Sequence, residues 1–71
     1  MMSISIEETR NYIDLRTEIL LIRFLTLMQV QDTNTITYYQ IQAFYHMIPY
    51  ISNAGKKTEK CIKKLLSYFE R

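Results

Sequence analysis

Thr35-Ile36-Thr37-Tyr38-Tyr39-Gln40-Ile41-Gln42-Ala43-Phe44-Tyr45-His46-Met47-Ile48 is the stretch on which the reading of the fold turns. Two signals in it point to a helix. Thr37-Tyr38-Tyr39-Gln40 has the spacing of a capping box, in which the threonine oxygen and the glutamine side chain each satisfy a backbone N–H of the first turn. Ile36 and Ile41 have the spacing of a hydrophobic staple across that cap. Beyond it, Ile41, Phe44, Tyr45 and Ile48 recur at i, i+3, i+4 and i+7, the core stripe of a helix. One signal opposes them, since Thr35 to Tyr39 is rich in β-branched and aromatic strand formers. Cap and staple outweigh propensity, so a helix is expected over about 37–48. Pro49 is expected to end or kink it by pushing Ile48 out of the helical region. A strand between Thr35 and Ile41 would contradict this reading.

Upstream, past the polar link Asp32-Thr33-Asn34, a long helix is expected over about 5–31. Ser5-Ile6-Glu7-Glu8 is a second capping box, and its acids suit the positive end of a helix dipole. At 100° per residue, Tyr12, Ile13, Leu15, Ile19, Leu20 and Leu27 share one side, and Arg10, Asp14 and Glu18 line the other as a solvated face. Past Glu18 that polar line turns apolar, as Leu21, Leu25 and Met28, so the second half of the helix must be covered on two sides. Either the other two helices clasp it, or Leu21, Leu25 and Met28 form a dimer seam. In a chain with so little core the two accounts are compatible.

Downstream, Ser52-Asn53-Ala54-Gly55 is a connection, and a third helix is expected over about 57–70. Ile62, Leu65, Leu66 and Phe69 form its apolar stripe. Lys56, Lys60, Lys63, Lys64 and Arg71 lie opposite, with Glu59 and Lys63 placed as an i,i+4 ion pair.

Composition narrows the alternatives. A single Gly and a single Pro leave little material for the tight turns of a sheet protein. Seventy-one residues hold one domain, 1–71, whose core is small. The lone Cys61 excludes an internal disulfide, and with a single histidine a four-ligand zinc site is excluded by counting. The remaining device for stabilising so small a chain is oligomerisation. The expectation is an all-α three-helix unit assembled as a homodimeric helical bundle. The opening MMSISIEETR has no signal-peptide pattern, and Ile19 to Met28 is too short to span a membrane. With a free thiol, this points to the cytoplasm.

An enzyme is not expected, nor any cofactor or metal. His46 has no Ser or Cys placed beside it as a nucleophile, no glycine-rich loop cradles phosphate, and so small a bundle has little room for a substrate pocket. Binding surfaces remain. Tyr39, Ala43, His46 and Tyr50 fall in one arc opposite Ile41, Phe44 and Ile48, and tyrosines flanking a histidine suit a docking surface. The competing account packs these tyrosines on the first helix or leaves them single on the surface. If His46 lies in a dimer contact, acid would charge it and loosen that contact. Charge is uneven: residues 1–54 carry three Arg against five acids, while 55–71 carry six basic residues against two acids. Lys56, Lys60, Lys63 and Lys64 read either as a solvated face or as a footprint for an acidic partner or phosphate. Lysines read bases poorly, and the break from Pro49 to Gly55 exceeds the turn of a helix-turn-helix, so DNA binding is the alternative. The main expectation is a small regulatory adaptor that binds a bacterial signalling or transcription protein. A phage or mobile-element inhibitor of a host protein would have the same size and physics.

From Glu18 onward the layout resembles the small enterobacterial biofilm and acid-resistance connector proteins of the YmgB/AriR type. The shared features are an apolar helix ending near Leu27-Met28, the link Asp32-Thr33-Asn34 with Ile36-Thr37, a second helix bearing His46, and the close Ile62-Lys63-Lys64-Leu65-Leu66 with Phe69-Glu70. Tyr38-Tyr39, Pro49 and the more basic tail depart from that pattern. The resemblance implies an all-helical homodimer feeding into a phosphorelay by protein contact, with DNA binding as a further property and no catalytic residues.

Overall fold

The computed structural model describes residues 2–52 and 54–70; Asn53 of the second connection and Arg71 of the basic face lie outside the described residues. Four helices and a two-stranded sheet follow one another as β1 (Ser3–Ser5), α1 (Ile6–Thr9), α2 (Leu15–Leu27), β2 (Thr35–Thr37), α3 (Tyr38–Met47) and α4 (Lys56–Phe69), with a 3-10 turn at Ile48–Tyr50. The architecture is therefore mostly helical but not all-α. Among the described residues, no helix is long and apolar enough to cross a membrane.

The strand and helix signals around Thr37 are both satisfied, in succession. Thr35–Thr37 is a strand, which corrects the expectation of helix alone, and α3 begins one residue later. The capping box is complete: Thr37 Oγ1 accepts from the Gln40 N–H at 3.2 Å, and Gln40 Oε1 accepts from the Thr37 N–H at 2.9 Å. The strand's partner is the N-terminus. β1 and β2 run antiparallel with Ser3 opposite Thr37, Ile4 opposite Ile36 and Ser5 opposite Thr35. Ser-Ile-Ser and Thr-Ile-Thr share one alternation, so both isoleucines point inward and are buried. The Ile6 N–H donates to the Asn34 carbonyl, and the Tyr38 N–H to that of Met2, extending the pairing at both ends.

The expected helix over 5–31 is two helices. Ser5 caps the first with the serine half of the expected box, its hydroxyl accepting from the Glu8 N–H at 3.1 Å. That helix stops at Thr9, because Thr9, Asn11, Tyr12, Ile13 and Asp14 are all weak helix formers. Asp14 then starts α2, its carboxylate accepting from the Thr17 N–H at 2.9 Å. At the other end Gln29 adopts φ 61°, the Val30 N–H reaches the Leu25 carbonyl and the Gln29 N–H that of Thr26. This is a Schellman motif, and it ends the helix at Leu27, short of Gln31.

Pro49 ends α3, though not by the expected route. Ile48 keeps helical angles, φ −51° and ψ −43°. Proline's missing N–H and its clash with the carbonyl four residues back tighten the chain into the 3-10 turn instead.

The buried core comprises Ile4, Ile13, Leu20, Leu21, Leu25, Ile36, Ile41, Phe44, Ile48, Ile62 and Leu65. Helices α2, α3 and α4 pack against one another around it, and the sheet closes the end where α3 begins. Thr17 of α2 and Thr58 of α4 are buried where those helices meet, their hydroxyls 3.5 Å apart. The radius of gyration, 10.9 Å, matches the roughly 11 Å expected of a compact chain of this length, so the core closes within one copy.

That closure fits the account in which the other helices clasp Leu21 and Leu25. Leu21 and Leu25 are 0% and 1% exposed, inside this chain and not on a seam between copies; of the three expected seam residues only Met28 is outside. Of the side expected to be core, Ile13 and Leu20 are buried, but Leu15, Ile19 and Leu27 face solvent. With apolar residues all round α2, hydrophobicity could not choose the face. The small Thr17, which lets α4 come close, marks the side that faces inward.

Candidate functional site

The outer side of α3 forms as its spacing dictates. With Ile41, Phe44 and Ile48 committed to the core, Tyr39, Ala43 and His46 are carried to the opposite side, all exposed. Tyr39 is 74% exposed, and Tyr50, held just beyond by the 3-10 turn, is 79% exposed. The other four tyrosines are half-buried and pack. Tyr39 is backed by a chain of ring contacts that sequence reasoning missed. Its ring lies 5.9 Å from Tyr38, Tyr38 lies 5.4 Å from Phe69, Phe69 lies 5.2 Å from Tyr68, and Tyr68 lies 5.2 Å from Tyr12. Tyr38 is further fixed by Gln42, whose amide donates to its hydroxyl at 3.0 Å. Tilted and edge-on geometries of this kind suit aromatic quadrupoles and stiffen the array. Phe69 and Tyr68 come from α4 and Tyr12 from the turn after α1, so only the fold brings them together.

At the other end of α3, the His46 ring lies 6.0 Å from Tyr45. Tyr45, His46, Ile48 and Pro49 line a shallow depression of about 180 Å3 with Glu59 of α4, joining the outer side of α3 to the basic helix. Lys56, Lys60, Lys63 and Lys64 are all exposed along α4, directly opposite the buried Thr58, Ile62 and Leu65. Lys63 makes the expected pair with Glu59, at 3.8 Å. Lys57 reaches Asp14 at 3.4 Å, tying the start of α4 to the start of α2.

The acids of the first helix are not the uniformly solvated line expected. Glu18 is 12% exposed, and its carboxylate takes two hydrogen bonds from the Arg10 guanidinium, at 3.0 and 3.3 Å. Asp14 is held below the usual carboxylate range, first by hydrogen bonds from Thr17 and then by Lys57. These contacts tie the end of α1 and the start of α4 to α2. Among the described residues, no three His, Cys, Asp or Glu side chains cluster as a metal site would require.

A third surface was not expected to be one. On α2, Leu15, Ile19 and Leu27 are 69%, 49% and 78% exposed, with Met28 beyond them and Ile22 half-buried between them. An open groove of about 520 Å3 runs along Glu18, Ile19, Ile22, Arg23, Thr26 and Leu27. The signal was present in the sequence as a helix apolar on both sides, but both sides were expected to be covered and this one is exposed.

No protein-family model, curated protein or solved structure matches the chain.

Proposed function

We propose that this chain is a small, non-enzymatic regulatory adaptor that acts by binding a protein, with a bacterial signalling or transcription protein as the partner class. One observation carries the reading: Tyr39, backed by a braced aromatic array, and Tyr50, in the turn after the helix, stand 74% and 79% exposed at the two ends of the side that carries His46. Exposed tyrosine on a rigid support loses little conformational freedom on docking and contributes large contact area, which is why it is enriched in binding hot spots. The neighbouring lysines supply attraction for an acidic rim on the partner.

The test is capture from nuclease-treated lysate by wild-type chain and by a Tyr39→Ala/Tyr50→Ala variant. Both positions are exposed, so stability should change by no more than about 0.5 kcal/mol each. A partner retained by the wild type and lost by the folded variant supports the adaptor. A partner set unchanged by the variant overturns the assignment of this surface.

The DNA-binding alternative is favoured by the four exposed lysines aligned on α4. Binding to duplex DNA would weaken steeply with salt and vanish in Lys60→Glu/Lys63→Glu/Lys64→Glu. An unaltered shift assay with that variant would eliminate it.

A further inference from the structure

The outward stripe of α2 is Leu15, Ile19, Ile22 and Thr26, a 4-3-4 spacing that places all four on the line opposite the buried Thr17, Leu21 and Leu25. This is the a/d pattern of a two-stranded seam, with Ile19 and Thr26 at one kind of position and Leu15 and Ile22 at the other. β-branched residues at the first kind with leucine at the second suit paired helices, a rule that Leu15 meets and Ile22 departs from. Thr26 is the one polar member. Its hydroxyl already donates to the Ile22 carbonyl at 2.9 Å, so its methyl can enter a seam without stranding a polar group.

We infer that a second copy of this chain covers the α2 stripe, with the two α2 helices parallel about a two-fold axis. Charge selects both the occupant and the direction. Arg16 and Arg23 flank the stripe on one side and Glu18 flanks it on the other. In a parallel pair related by a two-fold, the arginine flank of each copy meets the Glu18 flank of the other, with Glu18 opposite Arg23 five residues further along, the usual flanking pair of a parallel seam. Arg10 already holds the Glu18 carboxylate in place, leaving lone pairs for a second cation. In an antiparallel pair, arginines meet arginines and Glu18 meets Glu18, and like charges across a seam are unfavourable.

The seam is short. Four positions over eleven steps span about 16 Å at 1.5 Å per residue, well below the three to four heptads of a free-standing coiled coil. The core closes without it, so the monomer folds and the dimer is weak, with a dissociation constant on the order of 10–100 µM.

Sedimentation velocity over roughly 10 µM to 1 mM reads this directly. Wild type should pass from monomer to dimer across that range. Ile19→Asp, at a half-exposed position that leaves the core intact, should lower the association constant more than about tenfold by placing an unpaired carboxylate in the seam. Thr26→Val, which keeps the β-branched shape and removes the one polar group of the stripe, should raise it. Direction is read by oxidation of chains carrying Ile19→Cys and Cys61→Ser: a parallel seam sets residue 19 against itself and gives a disulfide-linked dimer, and an antiparallel one does not. A wild type that stays monomeric at the highest concentration, a dimer indifferent to Ile19→Asp, or no cross-link at residue 19 overturns the proposal. Tyr39→Ala/Tyr50→Ala should leave the dimer unchanged, so failure of this seam and failure of the adaptor surface are told apart.

Discussion

Asp14→Ala separates the observed α2 from a continuous first helix by the sign of its effect. In an uninterrupted helix Asp14 would sit on a solvated face, and alanine, the best helix former, would stabilise it by a few tenths of a kcal/mol. As the cap of α2, Asp14 accepts from the Thr17 N–H at 2.9 Å, and losing such a cap costs about 0.5–2 kcal/mol. The pair with Lys57 adds a few tenths at most, since the lysine is largely in water. The total is about 1–2 kcal/mol of destabilisation. With a urea slope of about 1 kcal/mol per molar for a chain this small, the unfolding midpoint read by circular dichroism should fall by about 1 M or more. Asp14→Asn is the control: asparagine caps as well as aspartate, so only the weak attraction to Lys57 is lost and the midpoint should move little. The acid limb adds a second readout. The folded carboxyl lies below its ordinary 3.8, so its charged form contributes stability that is fully present above that value and lost as pH falls through the lower folded one. The advantage of wild type over Asp14→Asn should therefore shrink below about pH 4. An Asp14→Ala variant as stable as wild type would refute the capped break at residues 10–14.

Two further variants probe features that the sequence did not announce. Ile4→Ala should cost about 2–3 kcal/mol in urea unfolding, because Ile4 is buried against Ile36 in the sheet; a loose N-terminal segment would give no change. Gln29→Gly should raise the thermal midpoint by a few degrees, because the residue sits at φ 61°, where a side chain is strained and glycine is not; a lowered midpoint would argue against the Schellman turn.

Local chemistry made part of this molecule readable. The cap at Thr37, the cap at Ser5 and the core stripes of α3 and α4 depend on residues within about one turn of each other, and all of them form. The exposure of Tyr39, His46, Tyr50 and the lysine row follows from those stripes by elimination. The sheet was illegible for the opposite reason: each strand has three residues, and the pairing of Ser3 with Thr37 is non-local. Its traces are the strand formers from Thr35 to Tyr39 and the matched alternation Ser-Ile-Ser and Thr-Ile-Thr. The phase of α2 was illegible because two apolar stripes compete on one helix, and only tertiary packing at Thr17 and Thr58 decides between them. Asp14 carried a readable cap signal, but a longer apolar periodicity running through it masked the break.

The exposed outer stripe of α2 also bears on how a chain this short could self-associate. Small size favoured a dimer or an obligate partner, with Leu21 and Leu25 among the candidate seam residues. Those residues instead complete the core of one copy, which removes the necessity and with it any reason to expect a tight, obligate dimer. What the fold leaves over is the other apolar stripe of the same helix, short and flanked by opposite charges on its two sides. Such a surface favours association that responds to concentration over the micromolar range rather than assembly required for folding. The proposed seam on α2 and the proposed docking surface on α3 lie on different helices, so on these proposals partner capture would proceed from either the monomer or the dimer. A dimer would present two copies of the tyrosine surface at once, and any gain in apparent affinity would then come from effective concentration and not from new contacts. Capture efficiency that rises with the density of wild-type chain on a support, but not with that of Ile19→Asp, is the signature this arrangement requires.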